Sequence, residues 1–163
     1  MGTSAGEAAV EGTVSGGGTG LPKVYRPRNI RVVAYGLAVI VVATMVVLAV
    51  MLPPDWRLQD RVGLVLLGLV GAGALHLLGR PRLVAAEDGV TVVNGIRTYV
   101  LEWAEIVDIR MPEGEPWPSV DLADGATLAV MGIQSNDGDL AVKNLEDFRS
   151  HLRDRGEAEE PGR

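Results

Sequence analysis

Glu102 and Glu105 stand three residues apart around Trp103 in the run LEWAEI. Paired carboxylates can divide general acid and general base work between them. That chemistry also needs a nucleophile, a metal or a proton shuttle beside the pair. The two histidines, His76 and His151, are far apart in the chain, and neither belongs to a Ser-His-Asp pattern. The chain has no cysteine, so it has no thiol nucleophile, thiolate metal site or disulfide framework. It also lacks HExxH and any glycine loop of phosphate-binding type. The expectation is a protein that is not an enzyme and carries no cofactor and no metal. Glu102 and Glu105 then read as a solvated strand end.

Other residues suggest binding. In EGEPWPS, Trp117 is held between two prolines, with Glu113 and Glu115 just before it. A stiffly held tryptophan suits the anchor of a partner-binding site, and the two glutamates would favour a basic partner. The alternative is that Trp117 folds back onto an open end of the domain and completes its core. Trp103 reads as a core residue. Gly68 and Ala72 form a small-xxx-small pair, which lets helix backbones approach closely. Ala34 and Ala38 offer a matching face, either within one helix pair or between two copies of the chain. His76 lies in an apolar run, where an ionisable group is a functional candidate; it also stands close enough to Arg80 for its imidazole to reach an interface.

The apolar run around His76 is one of two. Val32–Leu52 carries no charge and is stopped by Pro53 and Pro54; Val62–Leu78 follows after a short connection. About 20 apolar residues cross a bilayer as a helix, so residues 23–79 read as a two-helix transmembrane hairpin with spans near 32–52 and 62–78. The first run is too long for the core of a cleaved signal peptide. Lys23, Arg26, Arg28 and Arg31 precede the hairpin, and Arg80 and Arg82 follow it, against Arg57 and Arg61 in the connection. Positive charge gathers on the cytoplasmic side. Arginine far outnumbers lysine, and Ala, Gly and Val abound, as in a high-GC bacterium; the expectation is an integral protein of the bacterial plasma membrane with both termini in the cytoplasm.

Residues 1–22 are small and polar, and they read as a disordered tail, as does the acidic stretch 154–163. From Leu83 to Arg153 there are 13 acidic and 5 basic residues. Nucleic acid is therefore not an expected partner, because phosphate binding needs a basic face.

Beyond Leu78 the period changes. Asp88-Gly89, Asn94-Gly95 and Asp124-Gly125 are hairpin-turn dipeptides. Between and after them lie strand-like runs at Leu83–Ala86, Val90–Val93, Arg97–Glu102, Ile106–Met111, Ser119–Ala123 and Ala126–Met131. Val107, Ile109 and Met111 are expected on one face, with Asp108 and Arg110 opposite. Ala141, Leu145, Phe148 and Leu152 then recur at helical spacing. Asp137 and Asp139 suit the start of that helix, and Arg149, Arg153 and Arg155 suit its end.

An antiparallel meander closed by one helix, over residues 80–153, looks like a pleckstrin-homology barrel. RPRLVAAEDGVTVVN, the W-x-x-I of Trp103–Ile106, MPEGEPWPSVDLADG and MGIQSNDGDLAV together resemble the bacterial PH-like domains of the low molecular weight protein antigen 6 type, common in actinobacteria. The resemblance implies a small β-barrel with a C-terminal capping helix, preceded in many members by two membrane helices. Such a barrel has seven strands; six are plain here, and the seventh is expected in residues 132–135 or around Arg80–Leu83. The function expected is a membrane-tethered protein-interaction module, a scaffold or accessory subunit. The alternative is a domain that binds lipid or a small ligand, with Arg97 as its lone cation on the second and third strands. A third possibility is assembly of a homo-oligomer through Gly68 and Ala72.

Overall fold

The computed structural model describes residues 20–156; the expected tails at 1–19 and 157–163 lie outside the described residues. Two long helices come early in the chain, α1 (Asn29–Met51) and α2 (Leu58–Gly79). At about 1.5 Å per residue each exceeds the roughly 30 Å of a hydrocarbon core. Both are apolar around their whole circumference, with Val32, Val39, Val50 and Val70 among many exposed aliphatic side chains. Helices of this kind are long and apolar enough to cross a membrane. Leu52, held extended before Pro53, ends α1. The Arg61 guanidinium then reaches back to the carbonyls of Ala49 at 2.9 Å and Leu52 at 2.7 Å, which α1 leaves without partners.

The two helices pack along a face of small residues. Gly68 is buried, and a Cβ there would stand 3.0 Å from Cβ of Met45. Ala34 is buried on the facing side and Ala72 is half-buried. In the structure Gly68 thus faces Met45 and Val42 of α1 within the hairpin.

The seven strands among the described residues follow an order that the sequence pattern conceals. The first, β1 (Lys23–Tyr25), precedes the helices, yet it pairs antiparallel with β2 (Arg82–Ala86), aligning Val24 with Val84. The seventh strand is thus neither at 132–135 nor around Arg80–Leu83 but on the far side of the hairpin. Three residues in a run are too few to show alternation. The four-stranded sheet runs β1-β2-β3-β4, with β3 at Gly89–Asn94 and β4 at Arg97–Leu101. A three-stranded sheet follows: β5 (Ile106–Arg110), β6 (Ser119–Leu122) and β7 (Thr127–Ala129).

Among the described residues no strand ladder joins the two sheets, so the expected closed barrel is an open pair of sheets. The Trp103–Glu105 turn separates β4 from β5. At the other side, the Asn94 side chain bridges the sheets, donating to the Ala129 carbonyl at 2.5 Å and accepting from the Met131 N–H at 3.0 Å. Asn94 keeps an ordinary φ; Gly95, at φ +53°, takes the first central position of the β3–β4 turn. A bulge between Ile106 and Asp108 turns Val107 outward, to 64% exposure, while Ile106 and Ile109 stay buried. Val107 therefore does not share the face of Ile109.

Helix α3 (Asp139–Gly156) closes the core. Ala141, Leu145 and Phe148 are buried, and Leu152 packs at the edge, as the spacing predicts. Phe148 stacks on Trp103 at 5.8 Å between ring centres and meets Tyr25 edge-on at 6.0 Å. Trp103 also donates its indole N–H to the Ala86 carbonyl at 3.0 Å. The helix continues through Asp154–Gly156, where the sequence suggests a tail.

Candidate interaction site at the hairpin–domain junction

The hairpin is inserted between two hydrogen-bonded neighbours, β1 and β2. It joins them through Arg26–Arg28 on one side and Arg80–Pro81 on the other. Pro27 and Pro81 are buried in these links. Prolines fix φ, so short proline links give the helices little freedom to swing against the sheet. Side chains from the far end of the chain add to this. Asp137 accepts from the backbone N–H groups of Arg28 and Asn29, each at 2.8 Å, and Asn29 Nδ2 donates to the Asn136 carbonyl at 2.7 Å. Asp137 therefore caps α1, not α3.

A second clasp holds β1 to α3. Asp147 accepts from Lys23 Nζ at 2.6 Å and from the Tyr25 hydroxyl at 2.5 Å. Partial burial pulls the Asp147 carboxyl up, but the Lys23 and Tyr25 hydrogen bonds, with the Lys23 and His151 charges, outweigh it and leave the group below its usual range. Burial, and then the Asp147 hydrogen bond and charge, push the Tyr25 phenol well above its usual range. His151, on α3, is largely covered. Its Nε2 has no hydrogen-bond partner and lies 3.7 Å from Asp147. His76 is not alone either: its Nδ1 lies 3.2 Å from the Tyr35 hydroxyl on α1.

Beside the junction is an open groove of about 600 Å³. Ile30 from the first turn of α1, Leu77 and Leu78 from the last turn of α2, Pro81, Ile96 and Trp117 form its apolar wall. Trp117 is half-buried and lies outside the hydrophobic core. Its segment is pinned on both sides: the Ser135 N–H donates to the Pro116 carbonyl at 3.0 Å, and the Val130 N–H to the Pro118 carbonyl at 2.8 Å. Glu113 and Glu115 are exposed and do not line the groove. Of the three residues expected to act together, Trp117 alone lines this groove.

Arg97 also lines the groove, and among the described residues it has no ion-pair partner. The sequence singles out Trp117 and Arg97 but gives no sign that they share a wall with Leu77 and Leu78. That juxtaposition depends on the return of the chain from α2 into the sheet. On another side of the junction, Arg26, Arg28 and Arg31 gather with Tyr35 around a smaller hollow, the Arg31 guanidinium lying 6.0 Å from the Tyr35 ring centre. Glu105 accepts from the Glu102 N–H at 2.7 Å, so that pair caps a local turn. Among the described residues, no three acidic or histidine side chains are placed to hold a metal.

Two antiparallel sheets packed under a C-terminal helix define the class of protein, and the comparison with known families agrees. The family model of the bacterial PH domain matches residues 80–150 of the chain. Domains of this family are interaction modules for protein or lipid and are generally non-enzymatic. Strand β1 and the hairpin lie outside the matched residues. The chain is similar to an uncharacterized protein of Mycobacterium bovis, at 38% identity over 97 residues, which is 60% of this chain and 63% of that protein. Uncharacterized proteins from two strains of Mycobacterium tuberculosis match to the same extent, 38% over 97 residues. The match thus spans less than two thirds of the length of these relatives. No solved structure matches the chain.

Proposed function

We propose that this chain is an integral protein of the bacterial plasma membrane that holds a PH-domain platform against the inner leaflet. There it binds a protein partner as a scaffold or accessory subunit, without enzymatic activity. The observation that carries the reading is the insertion of an apolar hairpin between the adjacent strands β1 and β2. A domain attached through both strands, by short proline links, has its distance and orientation to the helices built in. Recruitment by lipid is then unnecessary, and its surfaces are free for another task.

Charge supports the orientation. Lys23, Arg26, Arg28, Arg31, Arg80 and Arg82 lie at the domain end of the hairpin, and Arg57 and Arg61 at the other. Arg61 is already engaged with the carbonyls that end α1. The domain end faces the cytoplasm on this reading. A net acidic domain favours a partner with a basic surface. Among the described residues the outer edges of β4 and β5 are unpaired, and Val100 and Val107 are exposed on them. Such edges accept an added strand.

The absence of cysteine makes the test clean. Asp55→Cys, in the connection between the helices, should react with an impermeant thiol reagent in intact cells, and Glu113→Cys only after lysis. A photocrosslinking residue at Val100 should then give one discrete adduct with a protein, absent when it is placed at Val39. Labelling of Glu113→Cys in intact cells would reverse the orientation. No adduct from Val100 or Val107 would remove the partner-edge reading.

A further inference from the structure

Resting on the reading that α1 and α2 cross the membrane, we propose that the Trp117 groove holds an acyl chain of an inner-leaflet phospholipid, with Arg97 engaging that lipid's phosphate.

Position is the first argument. Leu77 and Leu78 belong to the last turn of α2, and Ile30 to the first turn of α1. Residues at the ends of spanning helices lie where the acyl region meets the headgroups. A groove that shares those residues opens at the same depth. Lipid is there at high local concentration, whereas a protein segment would have to displace it.

The second argument is polarity. Asn94 and Gln134 also line the groove, but their side chains are already used. Asn94 holds Ala129 and Met131, and Gln134 Nε2 donates to the Met131 carbonyl at 3.3 Å. What remains is an apolar wall with one cation, Arg97, which has no carboxylate partner among the described residues. An apolar chain ending in a phosphate has the matching pattern. A guanidinium suits phosphate because its donors form a rigid fork.

The third argument is exposure. Ile96, at the tip of the β3–β4 turn, is 76% exposed to solvent. The turn tip lies beside the end of α2, since a Cβ on Gly95 would be 3.9 Å from the Leu77 carbonyl oxygen. An isoleucine there is unfavourable in water and favourable against lipid. Trp117 suits the same level, since tryptophan concentrates at membrane interfaces.

The test uses the full-length protein in phospholipid vesicles containing a trace of a phospholipid with a photoactivatable acyl chain. Labelled positions are mapped by peptide mass spectrometry. The expected label falls on the lipid-facing sides of α1 and α2 and also on Ile96, Trp117 and Met131. Ile96→Asp, at an exposed turn tip, should remove the groove label and leave the helix label. A phosphatidylglycerol probe should label the groove about fivefold better than a phosphatidylcholine probe, the size expected of one arginine at an anionic surface. Arg97→Gln should abolish that preference. Label confined to the helices would overturn the groove proposal while leaving the membrane-spanning reading intact. No label on the helices would overturn both. A disulfide between copies carrying Ile96→Cys would overturn the proposal in favour of a second copy of the chain.

Discussion

Asp137, in the loop that leads into α3, caps the first turn of α1 at Asn29. Its other carboxylate oxygen takes the Arg28 N–H. Residues 108 positions apart are thereby joined at the point where the hairpin leaves the domain. The free N–H groups of a helix start need acceptors, and a carboxylate also meets the positive end of the helix dipole. Asp137→Ala should lower stability by about 1 kcal/mol, the usual worth of a cap. Amide exchange should quicken at Arg28 and Asn29, while Asp137→Asn keeps most of the protection. Unchanged exchange in Asp137→Ala would show that the proline links alone hold the junction.

Asp147 makes the clasp between β1 and α3 depend on pH. Its folded pKa lies below the ordinary 3.8 of an aspartate, so the carboxylate stabilises the fold above that value. The contribution is lost as pH falls below 3.8 and through the folded pKa. Tyr25 has the opposite sign: its folded pKa is raised above 10.0, so its contribution is present below pH 10.0 and is lost as pH rises beyond it. Thermal midpoints measured across pH should fall at both ends. Asp147→Asn should flatten the acid limb. An acid limb as steep in the variant as in the natural chain would assign the loss to other carboxylates.

Gly132 gives a physical reason for one glycine in the MGIQSNDGDLAV phrase. A Cβ there would stand 2.4 Å from the Leu83 nitrogen and 2.6 Å from the Arg82 carbonyl carbon, both backbone atoms of β2. Backbone cannot turn aside as a flexible side chain does. Gly132→Ala should therefore destabilise the domain by about 2 kcal/mol or more, within or above the usual range for overpacking. Gly36→Ala, where nothing lies within 4 Å, should be neutral or slightly stabilising. Thermal unfolding of the two variants side by side makes the comparison.

The strands from β2 to β6, the stripe of α3 and the two apolar helices are legible because each repeats a local pattern, and the three-residue β7 is marked by the Asp124-Gly125 turn before it. Ala141, Leu145 and Phe148 need only helical spacing to be placed in the core. Strand β1 is hidden for the opposite reason: Lys-Val-Tyr is a single repeat, and its partner lies beyond two helices. Asp137 misleads because an acid just before a helix suits that helix, and no local pattern points to a different one. Val107 misleads because a bulge shifts the face without marking the sequence. The groove follows the same rule. Trp117 stands out by composition, but its neighbours Leu77, Leu78 and Ile96 are brought to it only by the insertion of the hairpin.

Gly68 decides between two uses of the small-residue face. In the structure that face is filled by α1, and a Cβ on Gly68 would stand 3.0 Å from Cβ of Met45. Gly68→Ile should push the helices apart, an overpacking worth about 1–3 kcal/mol. Gly73→Ile should have little effect within the hairpin, because nothing lies within 4 Å of that position. A disulfide reports the contact directly: a Cβ on Gly71 would lie 3.4 Å from Val41, so Val41→Cys with Gly71→Cys should cross-link readily. Adding Gly68→Ile should slow that reaction, and adding Gly73→Ile should not. The reverse result, an intact Val41–Gly71 disulfide with loss of an oligomer seen by native electrophoresis, would show that Gly68 packs between copies of the chain. A face of glycine and alanine this narrow can hold one helix at a time. The hairpin and the homo-oligomer are therefore competing occupants, and this cross-link separates them.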